Sequence, residues 1–430
     1  MTSSGPPTTD APAPETRRER NPLSYPSFRW LLAARTTSIL GNAVAPIALA
    51  FAVLDLTGSV TDLGLVVAAR SVANVAILLV GGVIADRLPR HLVLVGTSLA
   101  AALTQAAVAA LVLTGSATIP LLVLLGVLNG AVAAVALPAA AALVPDTVPA
   151  ALLRPANALL RLGLNAAGIL GAAVGAALVG AVGPGWGLAI DAVGFAVAGV
   201  LFGFVRLPTR RTRPAEDPSP GRRASVLLDL RGGWREFTRR RWVWVVVAQF
   251  GVLNAAFVGA TTVLGPVVAD ASFGRGGWGV VVAAQTIGLA LGAAVAIRWR
   301  PRRALGIGVG LMAVTAIPVA TLGIAPALPA LVVAFALGGV ALEIFAVAWD
   351  QSLQSHVPRE ALARVYSYDM VGSFIAIPLG EVMVGPIAQA LGIGPTLLGC
   401  AAVIVLASLA ALSVRSVRTL TVPASPVDPR

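Results

Sequence analysis

The chain has 430 residues, of which 57% are apolar and 12% are charged, and its mean hydropathy is +0.87. A soluble domain carries about a quarter charged residues, so this composition excludes most soluble enzymes and indicates a membrane protein. All 31 basic residues are arginines, and the formal net charge is +12. Without lysine the chain forms neither a Walker A phosphate loop nor a Schiff base, so ATP-driven pumping by this chain alone is not expected. A single cysteine, Cys400, excludes an internal disulfide and a multi-thiolate metal site.

Apolar stretches long enough to cross a bilayer recur along the chain after a polar start. Residues 1–24 are rich in proline, threonine and serine and lack the apolar core of a signal peptide, which predicts a disordered cytosolic tail. About twelve spans follow, at residues 28–54, 63–84, 92–114, 119–143, 158–181, 186–205, 242–269, 278–297, 304–324, 328–349, 365–391 and 393–414. The expected domains are an N-terminal six-helix half at 25–205, a linker at 206–241, a C-terminal six-helix half at 242–415 and a cytosolic tail at 416–430.

The breaks between the spans alternate in charge. Arginines occupy every second break, namely Arg87, Arg90, Arg154, the 206–241 segment, Arg298, Arg300, Arg302, Arg303, Arg359, Arg364, Arg415 and Arg418. The intervening turns hold only Arg275. The positive-inside rule then predicts that both termini and the central linker lie in the cytoplasm of a multi-pass protein of the bacterial inner (plasma) membrane.

The central linker carries eleven arginines, several prolines and the amphipathic stretch LLDLRGGWREF. In a membrane protein this composition predicts a cytosolic segment that lies partly on the inner leaflet and contacts anionic lipids. Topology and lipid contact explain its charge better than nucleic-acid binding, which is not expected.

The two halves share an internal repeat. Three pairs lie 209 residues apart, Pro149 with Pro358, Gly163 with Gly372 and Gly171 with Gly380, and the same offset relates Gly183 to Gly392 and Gly185 to Gly394. A constant offset across several helices predicts two parallel six-helix repeats in an all-α membrane protein. Parallel repeats of this kind are typical of transporters that work by alternating access.

The loop GGVIADRLPRH between spans two and three resembles the signature loop of the major facilitator superfamily. The matching residues are Gly82, Asp86, Arg87 and Arg90. Pro89 stands where the family usually has glycine, and His91 where it usually has a strong base. The resemblance implies a cytosolic latch in which a carboxylate on a short turn bonds a helix end and nearby arginines. Topology and solvation alone are the competing interpretation.

Within that superfamily the chain resembles the bacterial exporters related to macrolide-efflux proteins and the enterobactin exporter. The segments that carry this resemblance are FRWLLAARTTSILGNAVAPIALAFAVLDLTGS, VGPGWGLAIDAVGFAVAG and WDQSLQSHVPREALARVYSYD. In span five, GILGAAVGA looks like the antiporter motif, with Ala172 where that motif has proline. Small residues there also serve close helix packing. The arginine that many drug–proton antiporters carry in span four is absent.

The implied fold lines a central cavity with spans one, four, seven and ten. The cavity candidates are then Asn42, Asn129, Asn254 and Glu343. Asn42 and Asn254 are repeat mates near mid-span, placed to offer amide groups to one substrate from both halves. Interhelical hydrogen bonding by these amides is the alternative.

Ionisable groups inside the spans are costly unless they are paired or face water. Arg70 in span two and Glu381 in span eleven lie at comparable depth, and we expect them to pair when the outer side is closed. A permanent structural pair is the alternative. Glu343 in span ten is the preferred carboxylate for coupling to protons. Asp369 joins the Asp86 and Arg90 latch or caps its helix.

Two further buried charges and the histidines have plainer expectations. Asp191 lies in a peripheral span, which favours a structural role, and Arg35 is expected to extend to the inner interface. His91 and His356 lie in separate cytosolic turns, so no metal site is predicted.

The sequence therefore predicts a secondary active transporter that exports a small amphipathic molecule, such as a drug, an antibiotic or a siderophore-like compound, by proton antiport. An uptake symporter or uniporter and a non-transporting sensor on the same fold are the alternatives. No GxSxG elbow, paired-histidine motif or thiolate cluster points to an enzyme. No cofactor is expected, the partners are the substrate, protons and lipids, and the chain is expected to be a monomer.

Overall fold

The computed structural model describes residues 21–87, 89–206, 234–299 and 301–421. These residues are almost entirely helical and contain twelve helices that are long and apolar enough to cross a membrane. They are α1 Pro26–Thr57, α2 Val60–Arg87, α3 Arg90–Leu113, α4 Ile119–Leu143, α5 Leu153–Val182, α6 Pro184–Gly203, α7 Arg241–Ser272, α8 Arg275–Arg298, α9 Ala304–Ile324, α10 Leu328–His356, α11 with the segments Arg359–Phe374 and Ile377–Leu391, and α12 Ile393–Ser413. The predicted all-α membrane fold of twelve spans is confirmed.

Corresponding turns of the two halves contain a glycine with positive φ. Gly183 between α5 and α6 has φ 94°, and its repeat mate Gly392 between α11 and α12 has φ 90°. Gly58 and Gly274, in the first turn of each half, also have positive φ. Side chains disfavour this backbone region, so the glycines let long helices reverse direction within one or two residues. The two parallel six-helix repeats are confirmed.

The described residues next to the termini and the linker lie at one end of the helix bundle. The Ser27 hydroxyl at the start of α1 donates to the Arg206 carbonyl just after α6, at 2.5 Å. Because each half contains an even number of spans, residues 21–26, 234–241 and 414–421 share that end. We call it the terminal end, and we call the end with the Gly58, Gly274 and Gly392 turns the far end.

Three predicted boundaries differ in detail. Pro22–Ser24, predicted as part of the disordered tail, forms a short 3-10 turn in which Pro22 is buried, while residues 1–20 lie outside the described residues. Of the linker, residues 207–233 lie outside the described residues, but 234–239 are helical, and Trp234 contacts Tyr368 of α11. A hydrogen bond from Arg240 holds the pKa of Glu236 below its ordinary value. Arg415–Arg418 is helical, and the segment 422–430 lies outside the described residues.

The halves contact each other most extensively through two helix pairs, α2 with α11 and α5 with α8. At the far end these helices touch backbone to backbone. A Cβ on Gly64 of α2 would overlap the carbonyl oxygen of Glu381, and one on Gly385 would lie 2.8 Å from the Thr61 Cα. A Cβ on Gly279 of α8 would collide with Ala176 of α5. Glycine at these positions therefore lets the far ends of the two halves close together.

The substitution Gly64→Ala is expected to separate α2 from α11 at the far end, since the new methyl group has no space beside the Glu381 carbonyl. A cost of about 1–3 kcal/mol is typical of such overpacking. The measurement is maleimide labelling of a cysteine at Thr61 in a Cys400→Ser background, which should become faster. Gly96→Ala is the matched control, because a Cβ there meets no atom within 4 Å. Equal labelling of the two variants would contradict the prediction.

Candidate functional site

A cavity lies inside the N-terminal half, between α1, α2, α3, α4 and α6. Its volume is about 160 Å³, and it is open to the surroundings. Polar and aromatic side chains in its wall include Arg35, Asn42, Arg70, Asn129, Phe195 and Phe202. We call it the N-half pocket.

Arg70 organises the deep part of the N-half pocket. Its Nε donates to Asn129 Oδ1 at 3.1 Å, and its Nη2 donates to Asn42 Oδ1 at 3.5 Å. The Asn129 Nδ2 in turn donates to the Thr104 hydroxyl at 3.1 Å, which fixes the orientation of that amide. On α4, Gly130 packs against the Arg70 backbone, where a Cβ would overlap the Arg70 carbonyl. Three residues predicted separately for cavity and gate thus meet in one network.

Two buried carboxyl groups flank Arg70, one from each half. Asp191 of α6 and Glu381 of α11 both interact electrostatically with Arg70, but neither lies within ion-pair distance of it. Gln105 Nε2 donates to Asp191 Oδ2 at 2.7 Å, and the Ser71 hydroxyl lies within hydrogen-bonding reach of Glu381. Asp191 Oδ1 and Glu381 Oε2 are buried without a partner among the described residues. The predicted pairing of Arg70 with Glu381 stays a prediction, because Arg70 is hydrogen-bonded to the amides in this conformation.

Asn254, the repeat mate of Asn42, lies away from the N-half pocket. Its Nδ2 donates to the Ser373 carbonyl of α11 at 2.9 Å. That carbonyl lies just before the interruption between the two segments of α11, where the regular helical bond is lost. Within a membrane such a carbonyl needs another donor, and Asn254 supplies it. The amide is therefore committed to the helix backbone in this conformation.

Glu343 also lies apart from the N-half pocket. It packs beside Gly292 of α8 and is half-buried. Its carboxyl interacts electrostatically with Arg161 of α5, on the other half, without an ion-pair contact. Arg161 lies eight residues after the start of α5, and Glu343 lies at the middle of α10.

The signature-loop residues are described in part. Gly82, Asp86 and Arg87 lie in α2, and their side chains fall outside what the structure describes. Arg90 Nη1 contacts Asp146 Oδ2 at 2.9 Å, which ties α3 to the turn after α4 within one half. Asp369 accepts from Trp349 Nε1 at 2.8 Å and from the Ser373 hydroxyl at 3.0 Å. Asp369 therefore bonds within the C-terminal half here, and its part in the latch stays a prediction.

Arg275 at the start of α8 links the two halves at the far end. It donates to both carboxylate oxygens of Asp55 at the end of α1, with Nη1 to Oδ2 at 2.9 Å and Nη2 to Oδ1 at 2.5 Å. Its Nε donates to Asp270 Oδ1 at 2.7 Å, and its guanidinium carbon lies 4.9 Å from the Phe51 ring centroid. The sequence analysis missed this cluster. The sequence indicated the cluster only through Arg275, which is the single arginine in the turns between the arginine-rich ones.

The family model described as Major Facilitator Superfamily matches residues 31–380, which run from α1 into the second segment of α11. The chain belongs to the Major Facilitator Superfamily. It is therefore a multi-pass transporter of the inner membrane and not an enzyme.

Relatives and solved structures agree with this membership. The chain is 26% identical over 398 residues to the enterobactin exporter EntS of Escherichia coli O1:K1 / APEC, covering 90% of this chain and 93% of that protein. The nucleoside transporter NupG has a TM-score of 0.72 at 15% identity, covering 90% of this chain and 98% of that one. A bacterial homologue of the human lysosomal transporter Spinster, in its inward-facing and occupied conformation, has a TM-score of 0.70 at 17% identity over 93% of this chain and 98% of that one. The structural matches support the fold.

The substitution Arg275→Gln is expected to weaken closure of the far end, since it removes the two-pronged contact with Asp55. The side chains of the cluster are 25% to 42% exposed, so solvent reduces the effect to about 0.5–1.5 kcal/mol, or about two- to tenfold in the closed population. Maleimide labelling of a cysteine at Val60 measures it. Arg298→Gln, at the other end of α8, is the control. If Arg275→Gln leaves the labelling rate unchanged, the cluster does not stabilise closure of the far end.

Proposed function

We propose that this transporter exports a small amphipathic molecule by alternating access, with the terminal end in the cytoplasm. The single observation that carries the proposal is the asymmetry between the two ends. Arg275 joins the halves at the far end, whereas Arg161 and Glu343, which lie farther from that end, interact electrostatically without an ion-pair contact. This arrangement is that of a transporter closed on one side of the membrane and accessible from the other.

The distribution of arginines supports the orientation. Arg90, Arg298 and Arg415 lie at the terminal end, and Arg275 is the one arginine of the far-end turns in the described chain. By the positive-inside rule the terminal end then faces the cytoplasm. The conformation is accordingly inward-facing, ready to take up a molecule from the cell. Similarity to an enterobactin exporter over most of both chains supports export of a siderophore-like molecule.

The proposed source of energy is the proton gradient, used through antiport. The centre of the molecule places one guanidinium, that of Arg70, between two carboxyl groups, those of Asp191 and Glu381. One positive charge offsets one negative charge, so a second carboxyl in a low-dielectric interior is a natural place to carry a proton. Glu381 lies where α2 meets α11, so its protonation acts directly on the contact between the halves.

We propose that the interactions of the Glu343 carboxylate change when the terminal end opens or closes. When that end closes, α5 and α10 approach, and Glu343 reaches Arg161 on the opposite half. A proton on Glu343 would remove the attraction, which links its protonation to the open state. Protonation of Glu343 on α10 and of Glu381 on α11 would thus affect opposite ends of the molecule.

Proton coupling can be tested in energised inverted vesicles with a pH-gradient dye and a panel of amphipathic compounds. We expect a substrate to collapse the gradient partly with the wild type and to do so about tenfold less with Glu343→Gln, because a neutral amide carries no proton. Glu236→Gln, outside the membrane, is the control. Movement of radiolabelled compound without any change in the gradient would remove proton coupling and favour a uniporter. Binding without movement would favour a sensor.

The substitution Glu381→Gln mimics the protonated carboxyl and is expected to favour opening of the far end. The reason is that it removes a negative charge that faces Arg70 across the boundary between the halves. A shift of about 1 kcal/mol, or about fivefold in labelling of a far-end cysteine at Val60, is a typical coupling energy. Glu236→Gln again provides the matched loss of one carboxylate. Unchanged labelling would exclude Glu381 from the gate.

A further inference from the structure

We infer that the N-half pocket is a binding site for the anionic group of an amphipathic substrate. Arg35 would bind this group nearer the terminal end, and Arg70 would bind it deeper in the membrane. The inference deepens the proposed export function and rests on it. It gives Arg35 a role in binding, beyond the expected extension to the membrane interface. The chemistry recognised is a cluster of anionic oxygens, as in a carboxylate, joined to an apolar body.

The charge of the pocket wall is the first argument. Arg35 and Arg70 line it, and no carboxylate of the described residues does. Arg35 makes no hydrogen bond or ion pair with its side chain to any described residue, although it lies in a membrane-spanning helix and is half-buried. A guanidinium at that depth needs water or an anion. The pocket offers room for either, and an anion also satisfies the charge.

The free donor capacity of Arg70 is the second argument. Its Nε and Nη2 are engaged by Asn129 and Asn42, while its Nη1 donates to no described residue. Asp191 and Glu381 approach Arg70 without lining the pocket. The pocket side of Arg70 is therefore left with neutral amides as its neighbours. Guanidinium donors bind anionic oxygens with charge-assisted hydrogen bonds.

The shape of the pocket is the third argument. On α1, Arg35, Ile39 and Asn42 share one helical face, which places a charged, an apolar and an amide group along one wall. Phe195 and Phe202 of α6 supply aromatic surface to the same pocket. A pocket that combines two cations with two aromatic rings fits a molecule with an anionic group and an apolar or aromatic body.

The test uses the purified full chain in nanodiscs of zwitterionic lipid and two probes of the same ring system, 1-naphthoate and its uncharged amide, 1-naphthamide. Equilibrium dialysis of the wild type should show that naphthoate binds about tenfold more tightly, the effect of one charged hydrogen-bonded contact. Arg35→Gln should remove that preference and leave naphthamide unchanged. Arg35→Lys should restore part of it. Arg29→Gln, an exposed arginine on the same helix, should behave as the wild type.

Three results would overturn the inference. They are equal binding of the two probes, a preference that survives Arg35→Gln in a folded protein, and loss of naphthoate binding when the nanodiscs contain phosphatidylglycerol, which would assign the site to a lipid headgroup. Because Arg35 is half-buried and without partners, its substitution is compatible with folding, whereas Arg70→Gln risks the whole network.

Flux in proteoliposomes separates this inference from the proposed function. Preference for naphthoate without flux of any compound would sustain the anionic site and remove export. Flux of uncharged compounds with no preference for naphthoate would sustain export and remove the anionic site.

Discussion

A guanidinium inside a membrane has to find acceptors in the protein, in water or in a bound anion, and the centre of this transporter is arranged around that requirement. Arg70 is held by two amide oxygens, supported from behind by Gly130 of α4 and faced by one carboxyl group from each half. Breaking such a network strands a buried charge, which costs far more than the net value of any single bond. The surrounding helices α1, α2, α4 and α6 are consequently fixed relative to one another, so the N-terminal half can move as one body.

Closure of the far end combines two interactions of different character. The glycine contacts between α2 and α11 and between α5 and α8 depend on close approach of backbones and are short-ranged. The Arg275 cluster depends on charge and lies at the partly exposed surface, where water weakens it. Both contacts require close approach of the two halves, so both are lost when the far end opens and re-form when it closes.

Hydropathy and arginine placement were enough to predict the fold, because the bilayer imposes a strict length and polarity on every span. The constant repeat offset of glycines such as Gly183 and Gly392 also predicted the parallel halves. The two glycines occupy equivalent turns of the two halves, and both have positive φ. The repeat does not extend to the hydrogen bonds of the side chains. Asn42 and Asn254 are repeat mates, yet one faces Arg70 and the other bonds the backbone of α11. That difference depends on an interruption in α11 that hydropathy does not register.

Contacts between distant charges were the hardest part to predict. The sequence analysis singled out Arg275 for its position but could not connect it with Asp55, 220 residues away, because the pairing depends on how the halves dock. Asp191 was assigned a structural role, and its approach to Arg70 comes from the packing of α6 beside α1 at Gly41, where its Oδ1 would lie 3.0 Å from a Cβ. In both cases the residue type was visible and the partner was not.

The N-half pocket lies within a single half, and this has a consequence for energetics. Rigid-body rotation changes distances between the halves and leaves those inside a half unchanged. A molecule held there meets nearly the same walls whether the pocket is reached from the cytoplasm or from outside. A ligand with equal affinity for two states shifts neither of them. Any directionality must then come from groups that lie on the boundary between the halves. In the proposed cycle the pocket would select the molecule, and the boundary between the halves would set the direction of transport.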